Sequence, residues 1–280
     1  MNRHMAISRL ISEIRVRRNK GHKAMLTTPR DDNLNKIVIL NPKGGCGKST
    51  LVTNLAARYA QDGPIPAVMD FDPQGSTIAW LERRPRQLPQ IHGIAAFKKT
   101  MQSTRSWQLR IPGNATNVLV DSPASLGHDD LRELTRDATS ILVPVLPSSM
   151  DIHAASRCIA DLLLVAKVDR RDRKLAVVAN RTRKNTKSFG RLMRFLDSLG
   201  IPIIAVLRDS QNFVHAAEQG MGLCDMQPSR VRQDVEQIEK IVCWLNTWPE
   251  RRRDSPSTTS VNRRLLSSGS ILRRPQFGSA

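Results

Sequence analysis

A run of β-branched residues, Lys36 to Leu40, passes directly into Asn-Pro-Lys-Gly-Gly-Cys-Gly-Lys-Ser-Thr, Asn41 to Thr50, and then into the helical pattern Leu51 to Ala60. Strand, glycine-rich loop and helix in that order make a cradle for phosphate, because the first turn of the helix has free N–H groups and carries the positive end of the helix dipole. Gly44, Gly45 and Gly47, with Cys46 between them, let successive backbone N–H groups converge on phosphate oxygens. Lys48 supplies a point charge for the β- and γ-phosphates of a nucleotide, Ser49 a hydroxyl for Mg²⁺ and Thr50 a donor for the α-phosphate. The common form of this loop has glycine six positions before its lysine; here that position is Pro42, and an additional lysine, Lys43, precedes the glycines.

The rest of the chain repeats the strand-then-helix alternation. Strands are predicted at Lys36 to Leu40, Ile65 to Phe71, Asn117 to Asp121, Ser140 to Pro144, Lys174 to Asn180 and Ile201 to Leu207. Each is almost wholly apolar, as parallel strands covered on both faces are. Helices are predicted at Lys48 to Gln61, Asp129 to Asp137, Ile152 to Val168, Thr186 to Leu199, Asn212 to Glu218 and Ser229 to Thr247. The fold class that follows is α/β, a doubly wound, mostly parallel sheet of the P-loop NTPase type. Residues 85–115, with scattered Pro and Gly, yield no clear element.

Two carboxylate motifs follow the loop. In Met-Asp-Phe-Asp-Pro-Gln-Gly-Ser-Thr, Asp70 and Asp72 are two apart at a strand end, on the side of the sheet where the phosphate loop lies. Phosphoryl transfer to water needs a group that places the attacking water, and Asp72 is the candidate. The same residues can also be read as an acidic turn in which Asp72 or Ser76 caps a helix. In Asn117 to Asp121, four residues close on a carboxylate that can hold the shell of a Mg²⁺ ion together with Ser49.

Taken together, Pro-Lys-Gly-Gly-Cys-Gly-Lys-Ser-Thr, Asp-Phe-Asp-Pro-Gln-Gly and Asp121-Ser-Pro-Ala124 resemble the boxes of the ParA/MinD ATPases, over about residues 36 to 246. The resemblance implies an ATP- and Mg²⁺-binding enzyme that dimerises around two nucleotides. It gives Lys43 the role of reaching across the dimer to its partner's phosphates, Asp72 that of orienting water, and Asn180 that of reading the adenine edge, although a strand-terminal Asn is also an ordinary turn residue. Arg208 and Asp209 fall near the expected base pocket without an assigned role. The family writes its third box with two prolines, where this chain has Pro123 and Ala124. An electron-transfer relative resembling the nitrogenase iron protein is disfavoured, since no cysteine neighbours Asp121 to ligate a cluster.

Charge bears on the partner. The 280 residues hold 44 Lys+Arg against 25 Asp+Glu, a formal net charge of +19, with only 4% aromatics. Residues 1–35 and 250–280 each carry a net +5 and little apolar pattern, and are expected to be disordered basic tails flanking an ATPase domain at 36–249, with Met25 a possible alternative start. Arg181, Arg183, Lys184, Arg191 and Arg194 form a basic cluster without aromatic platforms, which suits phosphate contact with nonspecific double-stranded DNA better than stacking on single strands. No apolar run approaches the ~20 residues that cross a bilayer. The N-terminus lacks the apolar core and cleavage site of a secretory signal, and four cysteines without a C-x-x-C pair fit a reducing compartment. The expected location is cytoplasmic and nucleoid-associated.

The resemblance further implies a partner that stimulates hydrolysis, ParB-like or a cargo adaptor. Ser-Ser-Met-Asp-Ile-His and Arg-Asp-Ser-Gln-Asn-Phe-Val-His are similar to stretches of orphan ParA-like proteins that space bacterial microcompartments such as carboxysomes. Cargo positioning therefore ranks above plasmid or chromosome partition. The alternative is a MinD-like ATPase of cell-division placement, in which the amphipathic helix at Ser229 to Thr247 would lie on a membrane instead of docking on the sheet.

Overall fold

The computed structural model describes residues 34–97 and 111–249. The two basic tails assigned from the sequence lie outside the described residues, apart from Leu34 and Asn35, and so does part of the unread segment, 98–110.

Seven strands form one sheet: β1 (Asn35–Ile39), β2 (Ala67–Asp70), β3 (His92–Ala95), β4 (Asn117–Asp121), β5 (Ser140–Val145), β6 (Leu175–Thr182) and β7 (Ile203–Arg208). Their order is β3-β2-β4-β1-β5-β6-β7 and every pairing is parallel. The helices are α1 (Lys48–Ala60), α2 (Ser76–Glu82), α3 (His128–Thr135), α4 (Ser149–Leu164), α5 (Lys187–Ser198), α6 (Asn212–Glu218) and α7 (Pro228–Asn246). The expected doubly wound α/β architecture is therefore present.

Side-chain alternation along β1 explains the two-sided core. Ile37 and Ile39 join α1 and α7 residues such as Leu55, Ile238 and Ile241 on one face. Val38 and Leu40 join α3, α4 and α5 residues such as Leu134, Leu162 and Leu192 on the other. With both faces covered, strands have no polar side to display, which is why they read as continuous apolar runs.

Two elements were not predicted. β3 begins with exposed His92 and Gly93 and pairs only with β2 at the sheet edge, so it carries no buried pattern. The second, α2, has seven residues, too few to show a helical period. Several predicted boundaries also shift, among them the end of α4, at Leu164 instead of Val168. Helix α4 starts at Ser149, because the Ser148 hydroxyl accepts the Asp151 N–H at 3.1 Å and so caps the helix three residues earlier than expected. Strand β6 runs past Asn180 to Thr182, with irregular register against β7 between Ala179 and Thr182. Helix α7 docks on the sheet: Val231, Ile238, Ile241, Val242 and Leu245 are buried, so its apolar face is taken up by the core.

Because all strands run the same way, their C-terminal ends share one rim, and the strand order reverses around β1, between β4 and β5. Open α/β sheets bind ligands at that reversal.

Candidate functional site

The loop after β1 lies at the reversal and is held from beneath. Asn41, 2% exposed, donates its amide to the Pro144 carbonyl of β5 at 2.7 Å and accepts the Lys43 N–H at 3.0 Å. The Lys48 ammonium donates to the carbonyls of Asn41 at 3.1 Å and Lys43 at 3.3 Å, closing the loop on itself. Gly45 and Gly47 adopt left-handed backbone, with φ of 75° and 95°, and α1 begins at Lys48. The loop opens into a cleft of about 950 Å³ that also receives Asp72, Gln74, Asn180 and, at its far end, Phe213. Gly44, Gly45, Gly47, Lys48, Ser49 and Thr50 all line it; Cys46 does not, its side chain being fully buried. Burial raises the Cys46 thiol above its ordinary pKa.

Asp70 and Asp121 stand side by side on β2 and β4, partners in register. Asp70 is fully buried and caps α2: its two oxygens accept the N–H groups of Asp72 at 3.0 Å, Thr77 at 3.1 Å and Ile78 at 3.2 Å. Burial, and next the charge of Asp121, push the Asp70 carboxyl up to about 6 from an ordinary 3.8. Of the pair read from the sequence as facing the loop together, Asp70 turns into the sheet as a helix cap and Asp72 alone lines the cleft. The Asp72 carboxylate accepts the Gln74 N–H at 3.0 Å, which fixes the turn entering α2.

Asp121 is also fully buried. One oxygen accepts the Thr77 hydroxyl at 2.7 Å, while the other, Oδ1, has no hydrogen-bond partner. Burial raises its pKa, opposed by the hydroxyls of Thr77 and Ser49 and the charge of Lys48. An unpartnered buried carboxylate oxygen beside a hydroxyl and opposite a phosphate loop fits the hydrated Mg²⁺ that the sequence predicts for Ser49 and Asp121.

These shifts set a pH dependence. An acid whose folded pKa lies above its unfolded value binds more protons when folded, so its contribution to stability is complete below about pH 4 and lost as pH rises through about 6. A gap of about two units is worth up to about 3 kcal/mol. The nucleotide-free protein is expected to melt at higher temperature at pH 5 than at pH 7, and Asp70→Asn to flatten that rise; equal pH profiles for the two proteins in calorimetry would refute the assignment.

Lys43 reaches out of the loop to α4, where its ammonium lies 2.9 Å from Asp151 Oδ1. Asn180 sits against the loop, its amide donating to the Cys46 carbonyl at 2.8 Å and its oxygen accepting the Arg181 N–H at 3.0 Å. Both amide functions are thus engaged with backbone. At the far end Asp209 lines the cleft, held below its ordinary pKa chiefly by its hydrogen bond with Arg183; Arg208 instead turns to the buried Asp234 of α7, Nη2 to Oδ2 at 2.9 Å.

The basic cluster divides. Arg183 and Arg181 pair with Asp209 at 2.7 and 3.6 Å, and Arg181 lines the cleft mouth. Lys184, Arg191 and Arg194 are exposed and, among the described residues, make no ion pair. Arg191 and Arg194 are three apart on α5 and share a face.

Sequence reasoning missed Asn41, Thr77 and Asp151. What ties Thr77 and Asp151 to the site is their contact with residues distant in the chain, Asp121 and Lys43. Asn41 is the exception that could have been found, since Asn two residues before a loop N–H is a familiar turn former.

With this geometry in place, the comparisons agree. The family model for the CobQ/CobB/MinD/ParA nucleotide binding domain matches residues 37–223. The chain is 27% identical over 211 residues to maintenance of carboxysome distribution protein A of Halothiobacillus neapolitanus, covering 74% of this chain and 94% of that protein. It is 23% identical over 239 residues to the septum site-determining protein MinD of Thermotoga maritima, covering 74% and 87%. Among solved structures, MinD of Aquifex aeolicus superposes with a TM-score of 0.56 at 20% identity, covering 86% of this chain and 100% of that one. A McdA–ATP complex from Cyanothece does so with a TM-score of 0.55 at 14% identity, covering 75% and 96%. Both share the fold.

Proposed function

The chain belongs to the CobQ/CobB/MinD/ParA nucleotide-binding domain family, and on that premise we propose that it is an ATPase that dimerises around two ATP molecules, holds nonspecific DNA as the dimer and lets go when a partner protein stimulates hydrolysis. The observation that carries this reading is the convergence on one cleft of the lysine-bearing loop, Ser49 and Asp72, with the unpartnered oxygen of Asp121 on a buried carboxylate whose pKa the Ser49 hydroxyl lowers.

The loop N–H groups from Gly44 to Thr50 and the Lys48 ammonium bind the phosphates and favour charge on the β–γ bridging oxygen as that bond breaks. Asp72, which lines the same cleft, accepts a hydrogen bond from the attacking water and aims it at the γ-phosphorus. Ser49 and Asp121 would hold Mg²⁺, which neutralises phosphate charge when bound. Lys43 serves a partner copy's nucleotide, and for this it must leave Asp151.

Lys43→Ala is expected to keep ATP affinity within about threefold and to lose ATP-dependent dimerisation, since its ammonium acts on the partner's nucleotide. Light scattering with and without ATP and Mg²⁺ checks this, and a variant that dimerises like the unaltered protein sinks the trans role.

DNA binding is assigned to Arg181, Arg183, Lys184, Arg191 and Arg194. The two that pair with Asp209 are more than half exposed, so exchanging a carboxylate for a DNA phosphate costs little. Neutralising all five should lower the log–log salt slope of ATP-dependent DNA binding by about one unit for each DNA phosphate left without its cation. Titrations at several salt concentrations measure it; an unchanged slope places the DNA-binding surface elsewhere.

The carboxysome-distribution relative makes a microcompartment the first cargo to test, ahead of a plasmid or chromosome, and the action would then be cytoplasmic at the nucleoid. A MinD-like membrane role is disfavoured by the buried apolar face of α7, and among the described residues no helix is long and apolar enough to cross a membrane. Liposome pelleting beside DNA binding, both with ATP, discriminates the two.

A further inference from the structure

The C-terminal end of α2 carries a buried ion pair that the chemistry above does not use. Arg84 and Asp225, with side chains 5% and 0% exposed, form a two-pronged contact: Nη1 to Oδ2 at 2.8 Å and Nη2 to Oδ1 at 3.3 Å. Asp225 belongs to the short turn Leu223–Asp225 that follows α6. The same guanidinium donates to the carbonyls of Pro89 at 3.1 Å and Gly220 at 3.4 Å, and lies 5.5 Å from the centroid of the Trp80 ring. Trp80, a cleft residue of α2, donates its indole N–H to the Met221 carbonyl at 3.2 Å. Asp225 further accepts the Gly222 N–H at 2.8 Å and the Gln61 amide of the α1 end at 3.0 Å.

Packing allows no slack here. A Cβ on Gly220, whose φ is +65°, would fall 2.5 Å from the backbone of Arg83 and Arg84. Two charges withdrawn from water this completely are held by geometry, and removing one leaves the other stranded. At one end of α2 is the Asp72–Ser76 turn that faces the phosphates; beyond its other end, across the bridge, is the segment that follows α6, whose Phe213 and Ala217 wall the far end of the cleft. That far wall is fixed at its beginning as well, where Ser210 and Asn212 donate to Asp234 at 3.0 and 2.6 Å.

We propose that Arg84 and Asp225 are positioning residues that couple the phosphate-facing turn to the far wall through α2, so that both walls of the cleft answer to nucleotide together. This deepens the proposed function and rests on it. A plain structural pair would contribute stability alone. A coupling pair makes a specific split: binding through the loop survives its loss, while placement of Asp72 for water attack does not.

The test is hydrogen exchange of the full chain with ADP, and with a non-hydrolysable ATP analogue plus Mg²⁺, alongside ATP turnover. In the unaltered protein, nucleotide should slow exchange at 44–50, 76–84 and 220–226. In Arg84→Lys and Asp225→Asn, slowing should persist at 44–50 and vanish at 220–226, with turnover down about tenfold and ADP affinity within about threefold. The paired change Arg84→Met with Asp225→Leu strands no charge and should show the same split. Ile159→Val, a core trim on the opposite face of the sheet, should show neither. Retained slowing at 220–226 in all three variants, or losses of turnover and affinity in the same proportion, overturns the coupling. Absence of slowing at 44–50 in the unaltered protein overturns the nucleotide reading and the coupling with it.

Discussion

Gly47→Ala is expected to weaken nucleotide binding by about a hundredfold while leaving the fold intact. Gly47 holds φ at 95°, a left-handed backbone that costs an L-residue roughly 1–2 kcal/mol. The added Cβ would lie 2.3 Å from the amide nitrogen of Asn180, far inside contact distance. Asn180 has no easy retreat, since its amide and its oxygen are both bonded to backbone. The loop must therefore shift, and with it every N–H aimed at phosphate. A combined penalty of about 3 kcal/mol corresponds to about a hundredfold in affinity. Isothermal titration with ATP and Mg²⁺ measures the loss, and an unligated melting temperature close to that of the parent locates the effect in the loop. Near-normal affinity would mean that the loop does not bind in the form described.

The second large effect is on chemistry. Asp72→Ala should bind ATP almost normally and lose turnover by about a hundredfold or more, the usual consequence of removing a group that prepares a nucleophile. Asp72 lines the cleft, whereas its neighbour Asp70 is committed to capping α2, so the two aspartates give different failures: loss of hydrolysis for Asp72, loss of the pH-dependent stability for Asp70. The Asp72→Ala protein should accumulate as an ATP-bound dimer on DNA, visible as gel retardation that outlasts addition of the stimulating partner. Unimpaired hydrolysis would remove Asp72 from the mechanism.

What could be read in the sequence follows from locality. The phosphate loop, the Asp70–Ser76 turn and the β4 terminus are each written in a few consecutive residues, and the strands behind them are buried on both faces, so their hydropathy is unambiguous. Residues whose roles depend on distant partners were silent. Thr77 looks like any helical threonine until Asp121, 44 positions later, is brought beside it by the β2–β4 pairing. Asp151 falls just outside the helix predicted from Ile152, yet it sits in the first turn of α4 and also meets Lys43. The edge strand β3 escaped because half of it is exposed, and the two aspartates at 70 and 72 were read as a pair because strand alternation cannot tell which of them a following helix will claim.

The uniform direction of the seven strands also divides the surface into a working rim and an idle one. Gly63 and Pro64, in the connection between α1 and β2, are exposed and lie on the idle rim. A fluorophore attached there would report tumbling and assembly without entering the chemistry, so location and catalysis can be followed on the same molecules.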